Sequence, residues 1–146
     1  MATATQCSYD VQEWEKLFDA ETTRRFADPL WPAIYGFKSE AEARAPAGLR
    51  IMDDCDMCAL VSKDDPPVFL VTTLNGGPVT DRGAYLHHPK HADLVRQRCV
   101  AMGVPVVADL PGLGIKPEAG QPATLADFLL EHVRAGPGGE RVEGGE

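Results

Sequence analysis

Asp64-Asp65-Pro66-Pro67-Val68-Phe69-Leu70-Val71-Thr72-Thr73-Leu74-Asn75-Gly76-Gly77-Pro78 is the stretch on which the fold turns. Residues 68–74 form a run of β-branched and apolar side chains, introduced by a Pro-Pro pair and closed by Asn-Gly-Gly-Pro, which predicts a strand. Its apolarity is continuous rather than alternating, as in a strand of a parallel sheet covered on both faces. Working outward, Pro89 suits the first turn of a helix running to about Met102. Leu94, Val95, Cys99 and Met102 form its buried stripe, and Gly103 supplies the stop. Val104-Pro105-Val106-Val107-Ala108 follows as a second short strand. Strand, helix and strand with few residues between them predict a βαβ crossover with two parallel neighbours.

The flanks are helical. Asp10 reads as the N-cap of a helix to about Asp19, with Glu13 as capping-box partner and Val11, Trp14, Leu17 and Phe18 on one stripe. Residues 20–50 read as short helical pieces broken by Pro29, Pro32, Gly36, Pro46 and Gly48. They hold an apolar cluster of Leu30, Trp31, Ile34, Tyr35 and Phe37 that is either core or a ligand wall. Residues 109–122, rich in Gly and Pro, form an irregular excursion at the carboxyl end of the second strand. Thr124 with Asp127 caps a final helix whose stripe is Leu125, Phe128, Leu129, His132 and Val133. The expected organisation is one α/β domain over 1–135, with a cap-like helical part at 10–60 and strand-helix-strand-helix at 61–135. A Gly- and Glu-rich disordered tail is expected at 136–146.

A chain of 146 residues with 44% apolar and 25% charged side chains has the composition of an ordinary globular domain. A formal charge of −8 opposes binding to nucleic acid or an anionic membrane, which needs clustered Lys and Arg. There is no signal-peptide pattern at the start and no apolar run near the roughly 20 residues of a membrane span, so a cytoplasmic setting is expected. In that setting Cys7, Cys55, Cys58 and Cys99 are expected as free thiols. Cys55 and Cys58 have a CxxC spacing that His87, His88 or His91 would have to complete as a metal site. The simpler reading makes them small buried residues one helical turn apart, and no metal or cofactor is expected. Asp53, Asp54 and Asp56, and the Asp64-Asp65 pair, lack EF-hand spacing and read as caps or solvated charges.

Three stretches together resemble the C-terminal half of α/β-hydrolases of the esterase/lipase kind. They are Gln6-Cys7-Ser8-Tyr9-Asp10, then Ser62-Lys63-Asp64-Asp65-Pro66-Pro67 leading into Val68-Phe69-Leu70-Val71, and His87-His88-Pro89 opening a helix that ends Ala101-Met102-Gly103-Val104. The resemblance spans roughly residues 5–135 and implies a partial hydrolase-like three-layer arrangement without the half that carries the nucleophile. In that family a Ser on a Gly-x-Ser-x-Gly elbow is activated by a His held by an acid. This chain has no such elbow, and its serines are Ser8, Ser39 and Ser62. The family's acid position falls at Thr72-Thr73-Leu74-Asn75-Gly76, leaving Asn75 or the later Asp81 as substitutes. The family's His position falls in Pro111-Gly112-Leu113-Gly114-Ile115, which contains no His.

His87 and His88 therefore become the candidate bases, since ligands of open α/β sheets bind at the carboxyl ends of the strands. Asp81 or Asp109 would orient the imidazole, and Cys7 or Ser8 would serve as nucleophile. His-His-Pro before a helix is equally a capping and packing feature. His132 reads as a half-buried helix-end residue. Two functions follow. One is a carboxylic-ester or lactone hydrolase with a non-standard or shared site. The other is a catalytically inactive remnant that binds or self-associates. A half-sheet leaves an open edge, so a homodimer is expected in either case.

Overall fold

The computed structural model describes residues 2–3, 11–26 and 35–134. It is a mixed α/β structure with a short parallel sheet in the order β1-β2-β3. β2 is Val68–Val71 and β3 is Val106–Asp109, and β1 adds the two residues Ala2–Thr3 on the far side of β2. The β2–β3 register pairs Val68 with Val106 and Val71 with Asp109 in parallel, as the crossover pattern predicts.

Side chains alternate across this sheet. Leu70 and Ala108 face one side, where Ala92, Val95 and Cys99 pack on them, while Phe69 and Val107 face the other, where Phe128 packs. Phe69 and Leu70 are both fully buried, so each contributes on the order of 1.5–3 kcal/mol relative to exposure. Burial on both faces is what continuous apolarity requires.

Both strands differ from their expected limits for local reasons. β2 stops at Val71, not Leu74. The Thr72 N–H still reaches the Asp109 carbonyl, but the Thr72 hydroxyl then accepts the Leu74 N–H and the Asn75 side chain accepts the Gly77 N–H. Side chains that bond their own main chain compete with the ladder and turn the chain away. β3 begins at Val106, not Val104. Gly103 sits in the left-handed region at φ 74°, and the Val104 N–H closes back on the Cys99 carbonyl. Pro105 then has no N–H to donate, although its carbonyl accepts from Val68.

On the amino side of β2 lie α1 (Val11–Leu17), α2 (Ala20–Phe26), α3 (Glu40–Ala43), α4 (Pro46–Cys55) and α5 (Met57–Leu60). The helix expected over 10–19 is thus shorter, and a second one follows it. Asp19 starts that second helix by accepting the Thr22 N–H and hydroxyl, each at 2.8 Å. Glu13 pairs with Lys16, and the expected cap Asp10 lies outside the described residues, as do Leu30, Trp31, Ile34 and the tail. Pro46 opens α4 and so divides it from α3 as expected, but Gly48 lies within α4 and does not break it: it lets α4 lie against the main chain of α3, where a Cβ would collide with the Glu42 and Ala43 carbonyls.

After β2 come α6 (Arg82–Leu86), α7 (Pro89–Met102), β3, a 3₁₀ turn at Pro111–Leu113 and α8 (Leu125–Arg134). α7 has the limits read from its Pro and Gly punctuation. α8 is capped as expected, with the Thr124 hydroxyl accepting the Asp127 N–H at 3.1 Å. Only part of its expected stripe is buried: Phe128 faces the sheet, while Leu129 and Val133 are exposed. Trp14, Phe18 and Phe26 enclose Tyr85 of α6 in a second cluster that joins the N-terminal helices to α6.

Candidate functional site

The carboxyl ends of β2 and β3 are built from main chain held at close quarters. Asn75 folds the loop after β2 through its bond to the Gly77 N–H at 3.0 Å. One residue away, Gly76 lies directly on Gly112 in the loop after β3. A Cβ on Gly76 would collide with the Gly112 carbonyl, and a Cβ on Gly112 would collide with the Leu74 carbonyl. Only glycine permits so close an approach on either side. Beside this crossing opens a cavity of about 400 Å³ lined by Leu74, Asn75, Asp81, Gly83, His87 and His88, with Ala84.

His88 is the buried imidazole of this site, 3% exposed. Its Nδ1 accepts the Lys90 N–H at 3.2 Å, which makes His88 the N-cap of α7. Nε2 therefore carries the proton and donates it to the Gly77 carbonyl at 3.1 Å. The ring thus ties the loop after β2 to the start of α7. Burial lowers its pKa, opposed by the bond to Gly77 and helped by the nearby Lys90 charge, so the neutral form is held. With both nitrogens engaged by main chain, His88 has no lone pair directed at the cavity. Its geometry is that of the capping and packing reading.

Asp81 is likewise a cap. It starts α6 by accepting the Ala84 N–H at 2.9 Å, and that bond, with a smaller contribution from the Thr80 hydroxyl, lowers its pKa. It lines the same cavity as His87, and its carboxylate is fully charged near neutral pH. His87 is the C-cap of α6 and is exposed at the cavity. Of the residues singled out from sequence, the fold thus brings together Asn75, Asp81, His87 and His88. Asp109 ends β3, where its carbonyl accepts from Thr72. Cys7 and Ser8 lie outside the described residues.

Other candidates fall elsewhere. Ser62 stands before β2, where its N–H bonds Asp65. Asp56 caps α5 through the Cys58 and Ala59 N–H groups, which interrupts the helix between Cys55 and Cys58. That interruption corrects the expectation of two buried cysteines on one helical turn, since Cys55 is exposed and Cys58 is buried. Among the described residues no group of three His, Cys, Asp or Glu is placed to hold a metal ion. His132 donates from Nδ1 to the Phe128 carbonyl at 2.8 Å and lies on the Phe128 ring, a helix-end packing role as expected.

His91, one turn into α7, was not singled out as a base, and the fold buries it completely. Its Nε2 contacts the Tyr85 carbonyl at 3.0 Å, and Trp14 and Phe18 pack against its ring. Burial drives its pKa down to about 4. The sequence signal for this role is weak: a His three positions after a helix-capping His, on the same face as Val95 and Cys99. No helix of the described residues is long and apolar enough to cross a membrane. No family model matches this chain, and no curated protein or solved structure matches it.

Proposed function

We propose that this chain is a domain derived from an α/β-hydrolase of the esterase/lipase kind, binding a small ester- or lactone-like molecule at the carboxyl ends of β2 and β3 without hydrolysing it. One observation carries this reading: the loops that in the hydrolase pattern would hold the acid and the base do meet, but they meet through Gly76 and Gly112. Main-chain contact fills the space where two side chains would otherwise act on each other. The imidazole beside them, His88, spends both nitrogens on main chain. What is left is a cavity whose volume of about 400 Å³ suits a small ligand.

A second reading has its own support, since His87 is exposed and shares the cavity with Asp81. Here His87 takes the proton from the attacking thiol of Cys7 or hydroxyl of Ser8, and Asp81 orients the ring. The same measurement separates the two. Purified protein is given short p-nitrophenyl esters and a lactone, with and without a serine-directed phosphonate and a thiol alkylator, while the His87 ring protons are followed by NMR. Saturable shifts with no turnover above buffer support binding alone. Turnover that disappears in a folded His87→Ala variant replaces that reading with the hydrolase one.

The proposal includes self-association. β3 has no strand on its outer side among the described residues, and an open edge of this kind pairs with a second chain. A monomeric mass in light scattering at working concentrations refutes this part of it.

A further inference from the structure

At the opposite end of the sheet, the amino ends of β2 and β3 form the floor of a larger cavity of about 640 Å³. Val68, Val104, Val95 and Cys99 make the floor, and Met57 and Leu60 of α5 make one wall. Val95, Cys99 and Val104 are buried and Val68 is partly so, but the wall is open: Met57 is 39% and Leu60 61% exposed. Two large apolar side chains left in water at the mouth of an apolar cavity are a surface that an apolar body would cover. The charged groups lining this cavity are all acidic. Asp54 and Asp65 line it together with the Cys55 thiol, and no Lys or Arg does. Among the described residues neither carboxylate is in an ion pair, since the cations that form them pair with Glu13, Glu40 and Asp93. Asp65 uses one oxygen on the Ser62 N–H. Arg98, on the same helix as Val95 and Cys99, is turned to the Cys58 carbonyl.

We infer that this cavity is a second binding site, for a small amphiphilic amine whose apolar body lies on the α5 wall and whose ammonium group is met by Asp54 and Asp65. The volume lies in the range of small-ligand pockets, roughly 300–1,000 Å³, and it is too small for a folded partner. The charge selects the class: an anionic amphiphile meets two carboxylates with no cation among the lining residues, since Arg98 is held on the Cys58 carbonyl, whereas an ammonium group is attracted to both. The site is independent of the cavity at His87 and stands whether or not the hydrolase-derived reading holds.

Cys55 reports on occupancy, because it lines the cavity and is exposed, whereas Cys58 and Cys99 are buried. The whole protein is treated with iodoacetamide, and labelling of the Cys55 peptide is followed by mass spectrometry in the presence of phenylpropylamine, its neutral alcohol analogue or the matching carboxylic acid. Methyl resonances of Met57 and Leu60 are recorded in parallel. The expected result is saturable slowing of Cys55 labelling by the amine, with shifts of both residues, weaker protection by the alcohol and none by the acid. In Asp54→Asn, an exposed substitution, amine affinity should fall about threefold while the alcohol is unaffected. Equal protection by all three compounds overturns the assignment of an amine. Absence of both protection and methyl shifts overturns the site.

Discussion

Acidification should destabilise this protein through His91. The native ring titrates at about 4, and the same residue in the unfolded chain titrates near the ordinary value of 6.5. Between those values the unfolded chain holds a proton that the native chain does not, so each fall in pH favours unfolding. The stability that a neutral His91 contributes is complete above pH 6.5 and is lost as pH falls toward 4. The limiting slope is about 1.4 kcal/mol per pH unit, and between pH 7 and 5 the loss comes to about 2 kcal/mol. His88 is shifted in the same direction and adds to the slope. Going no lower than pH 5 limits the part played by Asp19 and Asp81, whose lowered pKa values place their effects in more acidic solution. Trp14 is a built-in reporter, 2% exposed with its ring 5.7 Å from that of His91. Urea unfolding followed by tryptophan fluorescence at pH 7, 6 and 5 measures the slope. His91→Gln keeps a donor for the Tyr85 carbonyl and removes the titration, so this variant should retain no more than the smaller slope of His88. An unchanged slope in His91→Gln would refute the reasoning.

Other substitutions separate the roles drawn from the structure. Gly76→Ala or Gly112→Ala should lower stability by about 2–4 kcal/mol in thermal unfolding, because main chain must move to admit the Cβ. Gly103→Ala meets no neighbour within 4 Å and should cost only about 1 kcal/mol for its positive φ. Phe128→Ala, which uncovers one face of Phe69 and Val107, should cost about 3–5 kcal/mol in urea titration, against about 0.5 kcal/mol or less for the exposed Val133→Ser. His88→Ala should lower stability by at least about 1 kcal/mol through the lost cap, with His88→Asn recovering part of it, while His87→Ala leaves the melting temperature unchanged.

The central elements were legible in the sequence because they are marked twice, by apolar pattern and by punctuation. Val68 to Val71 stands between Pro67 and the Asn-Gly-Gly turn, and α7 stands between Pro89 and Gly103. What the sequence concealed is held by single polar contacts. α2 and α6 are short helices begun by Asp19 and Asp81, and an Asp that caps a helix looks in sequence like any other exposed carboxylate. For the same reason Asp81 and His88 read as members of a reactive group when their bonds are to main chain. The final helix shows the converse: its apolar stripe is wider than the contact it makes, since Phe128 docks while Leu129 and Val133 do not. The meeting of Gly76 and Gly112 joins distant parts of the chain, and each glycine separately reads only as a turn former.

That crossing also limits how the protein could be redesigned. An engineer wishing to place a new pair of reactive side chains at the ends of the two strands would first consider the two loops that touch, and neither glycine there can carry a side chain without pushing the loops apart. New reactive groups would have to be introduced from the flanks, at Asn75 on one loop and Leu113 or Ile115 on the other. The bare backbone between them would remain as a fixed hinge-pin, setting the distance across which any such pair must reach.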